Sequence, residues 1–305
     1  MTGAGGFLGR HVARRLAADG WSVTGIGETA PGTATIRDWG FASWHTMALT
    51  TGTLEKLAGS AAPDAVFHAA GVGAVALVAQ DPLRAFDRTV RSTAVVLDTL
   101  RRAAPQARFI YPSSAAVYGE QGGSALPLEE DVSCAPISAY GWHKLGAELL
   151  MREAAGVHGL TGAAIRFFSV YGPELRKQVV WDWTHRMMHA GEAITLSGSA
   201  GGMRDFLCVD DAARLVSLLA GSAPQGAFTL VNGGTGHGTS MGDLARLIAE
   251  TLERPLDITF DGRTRPGDPL VYRASTRRAE ALGFAPHVPV AEGIRRYVTW
   301  IRSQI

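Results

Sequence analysis

The chain has little cysteine, no excess of charge of one sign and no long apolar run. Its 305 residues include two cysteines, Cys134 and Cys208, which lie 74 positions apart. This spacing fits neither a disulfide framework nor a zinc site, and it favours a cytoplasmic location. Lys and Arg number 29 against 28 Asp and Glu, so the formal net charge is +1. Nucleic-acid binding needs a basic excess, so nucleic acid is not an expected partner.

The most apolar stretch, residues 65–80, is 16 residues long and contains His68. A helix that spans a bilayer needs about 20 apolar residues, so no membrane association is expected. The first six residues contain neither a charged nor a long apolar segment, and no targeting signal is visible. Hydrophobic residues nevertheless make up 46% of the chain. This proportion is sufficient for the large core of a protein with two lobes.

Short β-branched or aromatic runs alternate with helical patterns through the first half of the chain. We predict strands at residues 22–27, 65–70, 108–113 and 163–168. Helices are predicted at residues 8–19, 82–103 and 138–154. This alternation predicts an α/β fold with a doubly wound parallel sheet, the Rossmann architecture.

The regular alternation ends after about Ser169, where glycine-rich loops separate shorter elements. We therefore predict a larger domain over residues 1–168 and a smaller lobe over residues 169–305, with some segments of the lobe returning to the first domain. The elements predicted for the lobe are a helix at 241–253, a strand at 257–260 and a closing helix at 291–303.

Glycines precede the first predicted helix as Gly3, Gly6 and Gly9. Such a loop allows backbone N–H groups to approach a pyrophosphate at the positive end of the helix. The spacing alone fits a glycine-rich tail equally well. A phosphate-binding loop follows a strand, whereas only Met1 and Thr2 precede Gly3. We therefore expect Met1 to occupy the last position of that strand, and the natural chain to begin several residues upstream.

Tyr140 and Lys144 are four residues apart and share one face of a predicted helix. We expect the Lys144 ammonium to lower the pKa of the Tyr140 phenol, so that the tyrosine acts as a general base. Ser114 follows a predicted strand and would lie at the carboxyl edge of the sheet, where open α/β proteins bind ligands. A serine there can also cap a helix, but its combination with the tyrosine and lysine favours a catalytic role.

Several segments together resemble the extended short-chain dehydrogenase/reductases of the NAD-dependent nucleotide-sugar epimerase/dehydratase type. They are the glycine loop, the segment 113–119, the Tyr140 and Lys144 pair, and the segments 166–173, 204–211 and 265–268. The segments follow one another in the family's order over essentially the whole chain. The resemblance implies an enzyme in which residues 1–168 bind the dinucleotide and residues 169–305 mainly bind the substrate.

The resemblance also implies roles for individual residues. Ser114 would polarise the sugar C4 oxygen, Tyr140 would exchange its proton, and Lys144 would hold the nicotinamide ribose. The residues implied in NAD binding are Gly3, Gly6, Phe7, Leu8, Gly9, Glu28, Leu49, Ala69, Ala70, Tyr140, Lys144 and Phe168. The residues implied in binding a nucleoside-diphosphate sugar are Ser114, Ser169, Arg204 and Arg265, with the two arginines on the diphosphate. No metal site is expected.

Departures from the family pattern narrow the reaction. Ala115 and Ala116 stand where the 4,6-dehydratases carry an Asp-Glu pair, so elimination of water is disfavoured. We expect a UDP-hexose 4-epimerase that uses bound NAD for transient oxidation at C4. The alternatives are a nucleotide-sugar 4-reductase or 4-dehydrogenase and a non-catalytic cofactor-binding protein, the last disfavoured by the intact catalytic residues. Ser169 replaces the family's asparagine, which leaves the sugar open.

Glu28 comes 19 residues after Gly9, where a carboxylate accepts hydrogen bonds from the adenosine ribose and repels a 2′-phosphate. This residue favours NAD over NADP, although the family's usual acid falls one position earlier, at Gly27. The predicted helices at 82–103 and 138–154 carry more apolar residues than one buried face needs. In the resembling family such helices form a two-fold interface, so we expect a homodimer.

Overall fold

The computed structural model describes residues 1–60, 62–120, 127–263 and 271–304. The strands, labelled β1 to β11 in chain order, are Thr24–Gly27, Ser43–Thr46, Ala65–Phe67, Arg108–Ser114, Thr161–Phe167, Ser169–Tyr171, Ala193–Leu196, Met203–Cys208, Phe228–Gly233, Gly238–Ser240 and Asp257–Phe260. The helices, labelled α1 to α12, are Phe7–Ala18, Thr33–Asp38, Thr51–Ser60, Val75–Gln80, Pro82–Phe86, Ser92–Ala103, Ala139–His158, Gln178–His189, Val209–Ser222, Met241–Thr251, Arg277–Ala281 and Val290–Arg302. A π-helical turn, Asp87–Arg91, connects α5 to α6, and a 3-10 turn, Ala115–Val117, follows β4.

The first two residues join two groups of parallel strands into one sheet. Strands β3, β4, β5 and β9 pair in that order, and β1 pairs with β2. Thr2 lies between the groups and forms parallel bridges to Ile26 and His68. The Ile26 amide donates to the Met1 carbonyl at 2.8 Å. The expected strand end is therefore present, but its last paired residue is Thr2 and not Met1.

Helices cover both faces of this sheet because its strands are apolar on both sides. On one face α1 and α9 pack against side chains such as Ile110 and Ile165. On the other face α6 and α7 pack against Phe109 and Tyr111. Neighbouring residues of a strand point to opposite faces, so β4 contributes to both cores. The doubly wound architecture predicted from the sequence is thus observed.

The helix predicted at 82–103 is interrupted by the π-helical turn Asp87–Arg91. The Ser92 hydroxyl donates to the Arg88 carbonyl and the Thr93 hydroxyl to the Thr89 carbonyl, both at 2.7 Å. Hydroxyls that bond to carbonyls of the preceding turn compete with the helical backbone pattern. Hydrophobic periodicity alone does not reveal such competition.

The predicted helix at 138–154 extends to His158 in the structure. The Ser138 hydroxyl accepts from the Gly141 amide at 3.2 Å and fixes the start of α7. Gly159 ends the helix with a φ of 68°, in the left-handed region that favours glycine. The cap therefore holds Tyr140 in the first turn of the helix.

The C-terminal part forms a second apolar core around α8, α10 and α12. Its buried side chains include Trp183, Met187, Phe206, Leu244 and Tyr297. Strands β10, β8 and β6 form a small sheet, and β7 pairs with β11. Helix α9 and strand β9 instead join the larger sheet. Among the described residues, no helix is both long enough and apolar enough to cross a membrane.

A buried ion pair connects two strands of the larger sheet to helix α7. Arg166 on β5 donates to the Glu148 carboxylate of α7 at 2.8 Å, and both side chains are 1% exposed or less. Ser113 on β4 donates to the same carboxylate. Arg166 also donates to the Glu130 carbonyl at 3.0 Å. The network satisfies both charges and fixes α7 against β4 and β5.

Removing one member of this pair leaves the other charged group buried without a partner. We expect Arg166→Leu to lower the free energy of unfolding by about 3–5 kcal/mol. The double variant Glu148→Leu with Arg166→Leu should be more stable than the single variant, because it leaves no uncompensated charge. Urea unfolding followed by circular dichroism measures both effects. An Arg166→Leu protein as stable as the wild type would contradict this account of the pair.

Candidate active site

The glycine loop lies against the chain that follows β3. Gly3 has a φ of 62°, and a Cβ built on it would lie 2.4 Å from backbone atoms of Ala69 and Ala70. A Cβ on Gly9 would lie 2.7 Å from the carbonyl oxygens of Gly3 and Ala4. Only glycine permits these approaches. The loop is thereby fixed at the N-terminus of α1, whose first turn carries no acidic residue and can face a pyrophosphate.

His68 holds the underside of this loop. Its Nδ1 lies 2.6 Å from the Thr2 hydroxyl and its Nε2 lies 3.1 Å from the Ser92 hydroxyl. Because the Ser92 hydroxyl donates to the Arg88 carbonyl, Nε2 is the donor to Ser92 and Nδ1 accepts from Thr2. Burial lowers the His68 pKa to about 3, so the ring is neutral. His68 is therefore a structural residue of the site.

Ser114 and Tyr140 come together at the carboxyl edge of the sheet. Ser114 is the last residue of β4, and its hydroxyl accepts from the Ala116 amide at 3.2 Å. A Cβ on Gly141 would lie 2.5 Å from the Ala116 carbonyl oxygen, so α7 approaches this turn closely. The approach places Tyr140 near Ser114, whose side chain lowers the pKa of the Tyr140 phenol. The side chains of Ser114 and Tyr140 thus both lie at the carboxyl edge of the sheet.

Lys144 is buried beneath the same position. Its Nζ donates to the Pro112 carbonyl at 2.7 Å and lies 4.7 Å from the Tyr111 ring centroid. Its distance to the Tyr140 ring centroid is 5.8 Å. Burial lowers the Lys144 pKa to about 8, although the nearby Glu148 carboxylate raises it. The amine therefore titrates near neutral pH.

The Tyr140 pKa is shifted in the direction opposite to the prediction. Burial raises the pKa of the phenol, and the Ser114 side chain opposes this shift. The physical reason is desolvation of the phenol, while the Lys144 ammonium donates to the Pro112 carbonyl and covers the Tyr111 ring. In the described state Tyr140 is a protonated acid.

Tyr111 is a site residue that the sequence analysis missed. Its hydroxyl is buried and has no hydrogen-bond partner in the described part of the chain. Burial raises the pKa of this phenol well above its usual value. An unsatisfied buried hydroxyl beside Lys144 is a polar group open to a ligand. The signal in the sequence was a tyrosine within the predicted strand 108–113.

Aromatic rings line the side of the site that faces the smaller lobe. Phe168 lies between Tyr118 and Tyr272, with ring centroids 6.3 Å and 6.0 Å away. The Tyr272 hydroxyl donates to the Gly119 carbonyl at 2.9 Å. The Arg204 guanidinium lies 5.9 Å from the Tyr272 ring centroid. Tyr272, which sequence analysis also missed, thus links two predicted binding residues, Phe168 and Arg204.

The remaining predicted site residues lie in different parts of the molecule. Ser169 begins β6 and pairs in register with Phe206 on β8. Phe7 packs against the core of the smaller lobe, whereas Leu8 packs against the core of the larger one. Leu49 is half-buried beside the core under α6 and α7. Gly6 is exposed in the glycine loop, and Arg265 lies outside the described residues.

Glu28 is exposed at the end of β1 and is paired with Arg88. The two carboxylate oxygens lie 3.1 Å and 2.9 Å from one guanidinium nitrogen of Arg88. The sequence analysis had considered the carboxylate without this cation. The negative charge of Glu28 is thus balanced by the Arg88 guanidinium.

The family model for the NAD dependent epimerase/dehydratase family matches residues 1–230. The chain belongs to this family. The UDP-glucose 4-epimerase of Mycolicibacterium smegmatis is 29% identical, over 100% of this chain and 98% of that protein. The crystal structure of a UDP-glucose 4-epimerase from Thermotoga maritima with UDP-glucose has a TM-score of 0.88 and 27% identity, over 99% and 98% of the two chains. The UDP-glucose 4-epimerase of Thermus thermophilus in complex with NAD has a TM-score of 0.87 and 25% identity, over 100% and 98%.

Membership confirms the predicted family, the Rossmann fold, the enzymatic nature of the chain and NAD as its cofactor. The residues present fit that group. The glycine loop presents backbone to a pyrophosphate, and the free hydroxyl of Tyr111 and the amine of Lys144 lie together at the far end of the site. Among the described residues, no group of three or more His, Cys, Asp or Glu side chains could hold a metal ion.

The pKa of Lys144 predicts a pH dependence of cofactor binding. Since this pKa is about 8, the amine is charged below that pH and loses its charge above it. If only the ammonium form binds, NADH affinity falls by about tenfold between pH 7 and 9. Lys144→Met should bind NADH weakly, with no such fall.

Fluorescence titration of the nucleotide-free protein measures this affinity. The matched control is Lys56→Met, because Lys56 is exposed on α3. That variant should retain the wild-type affinity at each pH. Equal NADH affinity of the wild type at pH 7 and 9 would exclude a role for the Lys144 charge.

Proposed function

We propose that this enzyme is a nucleotide-sugar 4-epimerase that acts on UDP-hexoses. The observation that carries the proposal is the grouping of Ser114, Tyr140 and Lys144 at the carboxyl edge of the sheet, where α7 approaches the turn after Ser114 and the Lys144 Nζ lies 5.8 Å from the Tyr140 ring centroid. The relatives described above, two of whose structures contain UDP-glucose or NAD, support the substrate class and the reaction.

The two hydroxyls provide a path for the proton of the sugar 4-hydroxyl. Ser114 holds the C4 oxygen, and Tyr140 in its phenolate form accepts the proton from it and later returns it. The bound NAD supplies reversible oxidation at C4. The Lys144 ammonium, 5.8 Å from the Tyr140 ring, stabilises the negative charge on the phenol oxygen while its proton is absent.

The turn after Ser114 offers no acid for elimination of water. Ala115 is 3% exposed, and the Ala116 carbonyl oxygen is in close contact with α7. Neither position supplies a carboxylate to the reacting oxygen, because both side chains are methyl groups. This environment favours inversion at C4 over dehydration.

We assign the substrate diphosphate to the smaller lobe. Arg204 lies on β8 beside the Tyr272 ring and carries a cation suited to forked hydrogen bonds with phosphate. Ser169 on the adjacent β6 supplies a hydroxyl to the sugar, and Arg265 is proposed as the second cation. Glu28 is proposed to contact the adenosine ribose. Both cysteines, Cys134 and Cys208, are free thiols, in keeping with the proposed cytoplasmic location.

The reaction is tested by substitution of the proposed proton carrier. Tyr140→Phe retains the ring but removes the hydroxyl, so turnover should fall on the order of 10²–10⁴-fold while NADH binding is retained. Ser114→Ala should cost less, because it removes one hydrogen bond and leaves the proton path through Tyr140. Turnover is measured as inversion at C4 by NMR, with UDP-hexoses, UDP-hexuronic acids and UDP-N-acetylhexosamines as substrates.

The same assay separates the alternatives. An epimerase yields the C4-inverted sugar with no net change in NADH absorbance. A 4-keto sugar that accumulates in proportion to the NAD consumed would overturn the proposal in favour of a 4-dehydrogenase. Binding of the substrates without any conversion would overturn it in favour of a binding protein.

We also propose that two copies pair through α5 and α7. The exposed large apolar side chains there include Leu83, Phe86, Trp142, Leu149 and Val157, which are 73%, 43%, 57%, 56% and 69% exposed. Large apolar side chains exposed on neighbouring helices favour association. Some apolar side chains of these helices are buried in the core, and others are exposed to solvent.

Most of the apolar residues in the helices predicted at 82–103 and 138–154 are at least partly covered. Val96, Leu97 and Met151 are buried, whereas Leu149 is exposed. Val90, Val95 and Leu150 are partly buried. The proposed surface therefore rests on Leu83 and Phe86 of α5 and on Trp142, Leu149 and Val157 of α7.

The dimer is tested by light scattering. The wild type should have twice the mass of one chain at micromolar concentration, and Leu149→Arg should shift it towards the mass of one chain, because it buries an unpaired charge. Thr299→Arg on α12 is the control, since this exposed residue lies on another helix and should leave the mass unchanged. A monomeric wild type at that concentration would reject the dimer.

A further inference from the structure

The adenosine end of the cofactor site is built from an indole ring. Trp44 on β2 pairs in register with Gly25 on β1 and covers that strand. A Cβ on Gly25 would lie 2.5 Å from Trp44 Cε3, and a Cβ on Gly27 would lie 2.5 Å from Trp44 Cζ2. The indole therefore occupies the space of any side chain at these two positions.

This arrangement excludes an acid at the family's usual position. Gly27 stands at that position, and Trp44 leaves no room there for a carboxylate. The Trp44 Nε1 donates to the Thr29 carbonyl at 3.1 Å, which fixes the ring. Its Cη2 would lie 3.6 Å from a Cβ on Gly5, so the ring reaches the glycine loop. The surface beside the loop is consequently aromatic and uncharged at this point.

The remaining carboxylate at this edge is neutralised. Glu28 is 72% exposed and accepts both of its hydrogen bonds from Arg88, which is 43% exposed. Arg88 lies in the π-helical turn, and its carbonyl is 3.7 Å from the position of a Cβ on Gly71, in the loop after β3. The ion pair of Glu28 and Arg88 thus lies next to the loop that follows β3.

The other cation of this region is already engaged. Arg10 lies 5.3 Å from the Trp39 ring centroid and forms an ion pair with Glu174 at 2.9 Å. Arg88, which contacts Glu28 directly, remains as a cation for an anionic group of the adenosine ribose. A carboxylate discriminates against a 2′-phosphate by repulsion, and a guanidinium in contact with that carboxylate cancels the repulsion and offers forked hydrogen bonds.

We propose that this site binds dinucleotides with a 2′-phosphate as well as those with a free 2′-hydroxyl, and that Arg88 is the residue that contacts the phosphate. The proposal rests on the cofactor site described above. It extends the cofactors of the enzyme to the NADP class and assigns the choice between the two classes to the balance between Glu28 and Arg88. Trp44 contributes by excluding a second carboxylate.

Titration of the nucleotide-free protein with NADH and with NADPH, followed by nucleotide fluorescence, tests this assignment. The wild type should bind the two within about tenfold of each other. Arg88→Gln should weaken NADPH by about tenfold or more, because a hydrogen bond to a charged group is lost and Glu28 is left unpaired. Glu28→Gln should tighten NADPH and change NADH less.

Arg91→Gln is the matched control. Arg91 lies in the same π-helical turn but pairs with Asp87 at 3.8 Å, so this variant should keep the wild-type ratio of the two affinities. An NADPH affinity more than 100-fold below that for NADH in the wild type would overturn the proposal. The same ratio in Arg88→Gln and Arg91→Gln would also overturn it. Binding of NADH alone refutes only this proposal, whereas binding of neither nucleotide refutes the cofactor site as well.

Discussion

The buried ion pair between Arg166 and Glu148 is the contact on which the geometry of the site depends. It joins β5 to α7, and Ser113 of β4 donates to the same carboxylate. Each of these residues is close in sequence to one that faces the reaction. Ser113 precedes Ser114, and Glu148 lies one helical turn after Lys144. A displacement of the pair would therefore move the serine and the lysine relative to each other.

The two ends of the cofactor site are built on different physical principles. At the nicotinamide end, polar groups are buried, and burial sets the pKa values of Tyr140 and Lys144 in opposite directions. Each shift favours the neutral form, as expected where water is excluded. At the adenosine end the charged groups, Glu28 and Arg88, are exposed and balance each other. We therefore place the proposed chemistry at the buried end and the proposed selection between nucleotides at the exposed end.

The strands, the helices and the family motifs were predictable because their signals are local. Alternating apolar runs located β4 and β5, and the four-residue spacing placed Tyr140 and Lys144 on one helical face. The glycine loop was recognisable because glycine is required wherever backbone approaches backbone, as at Gly3 and Gly9. These features depend on residues that are close together along the chain.

Other properties were decided only by the tertiary structure. The direction of the Tyr140 pKa depends on burial, and the Lys144 ammonium donates to the Pro112 carbonyl, 32 positions away. The unpaired hydroxyl of Tyr111, the Glu28 pair with Arg88 and the indole over Gly27 likewise join segments that are distant in sequence. The fold and the family were predictable from the sequence, and so were the residues proposed to react. The tertiary structure decided their charges and partners, because solvation and Coulomb interactions depend on distance in space and not on separation along the chain.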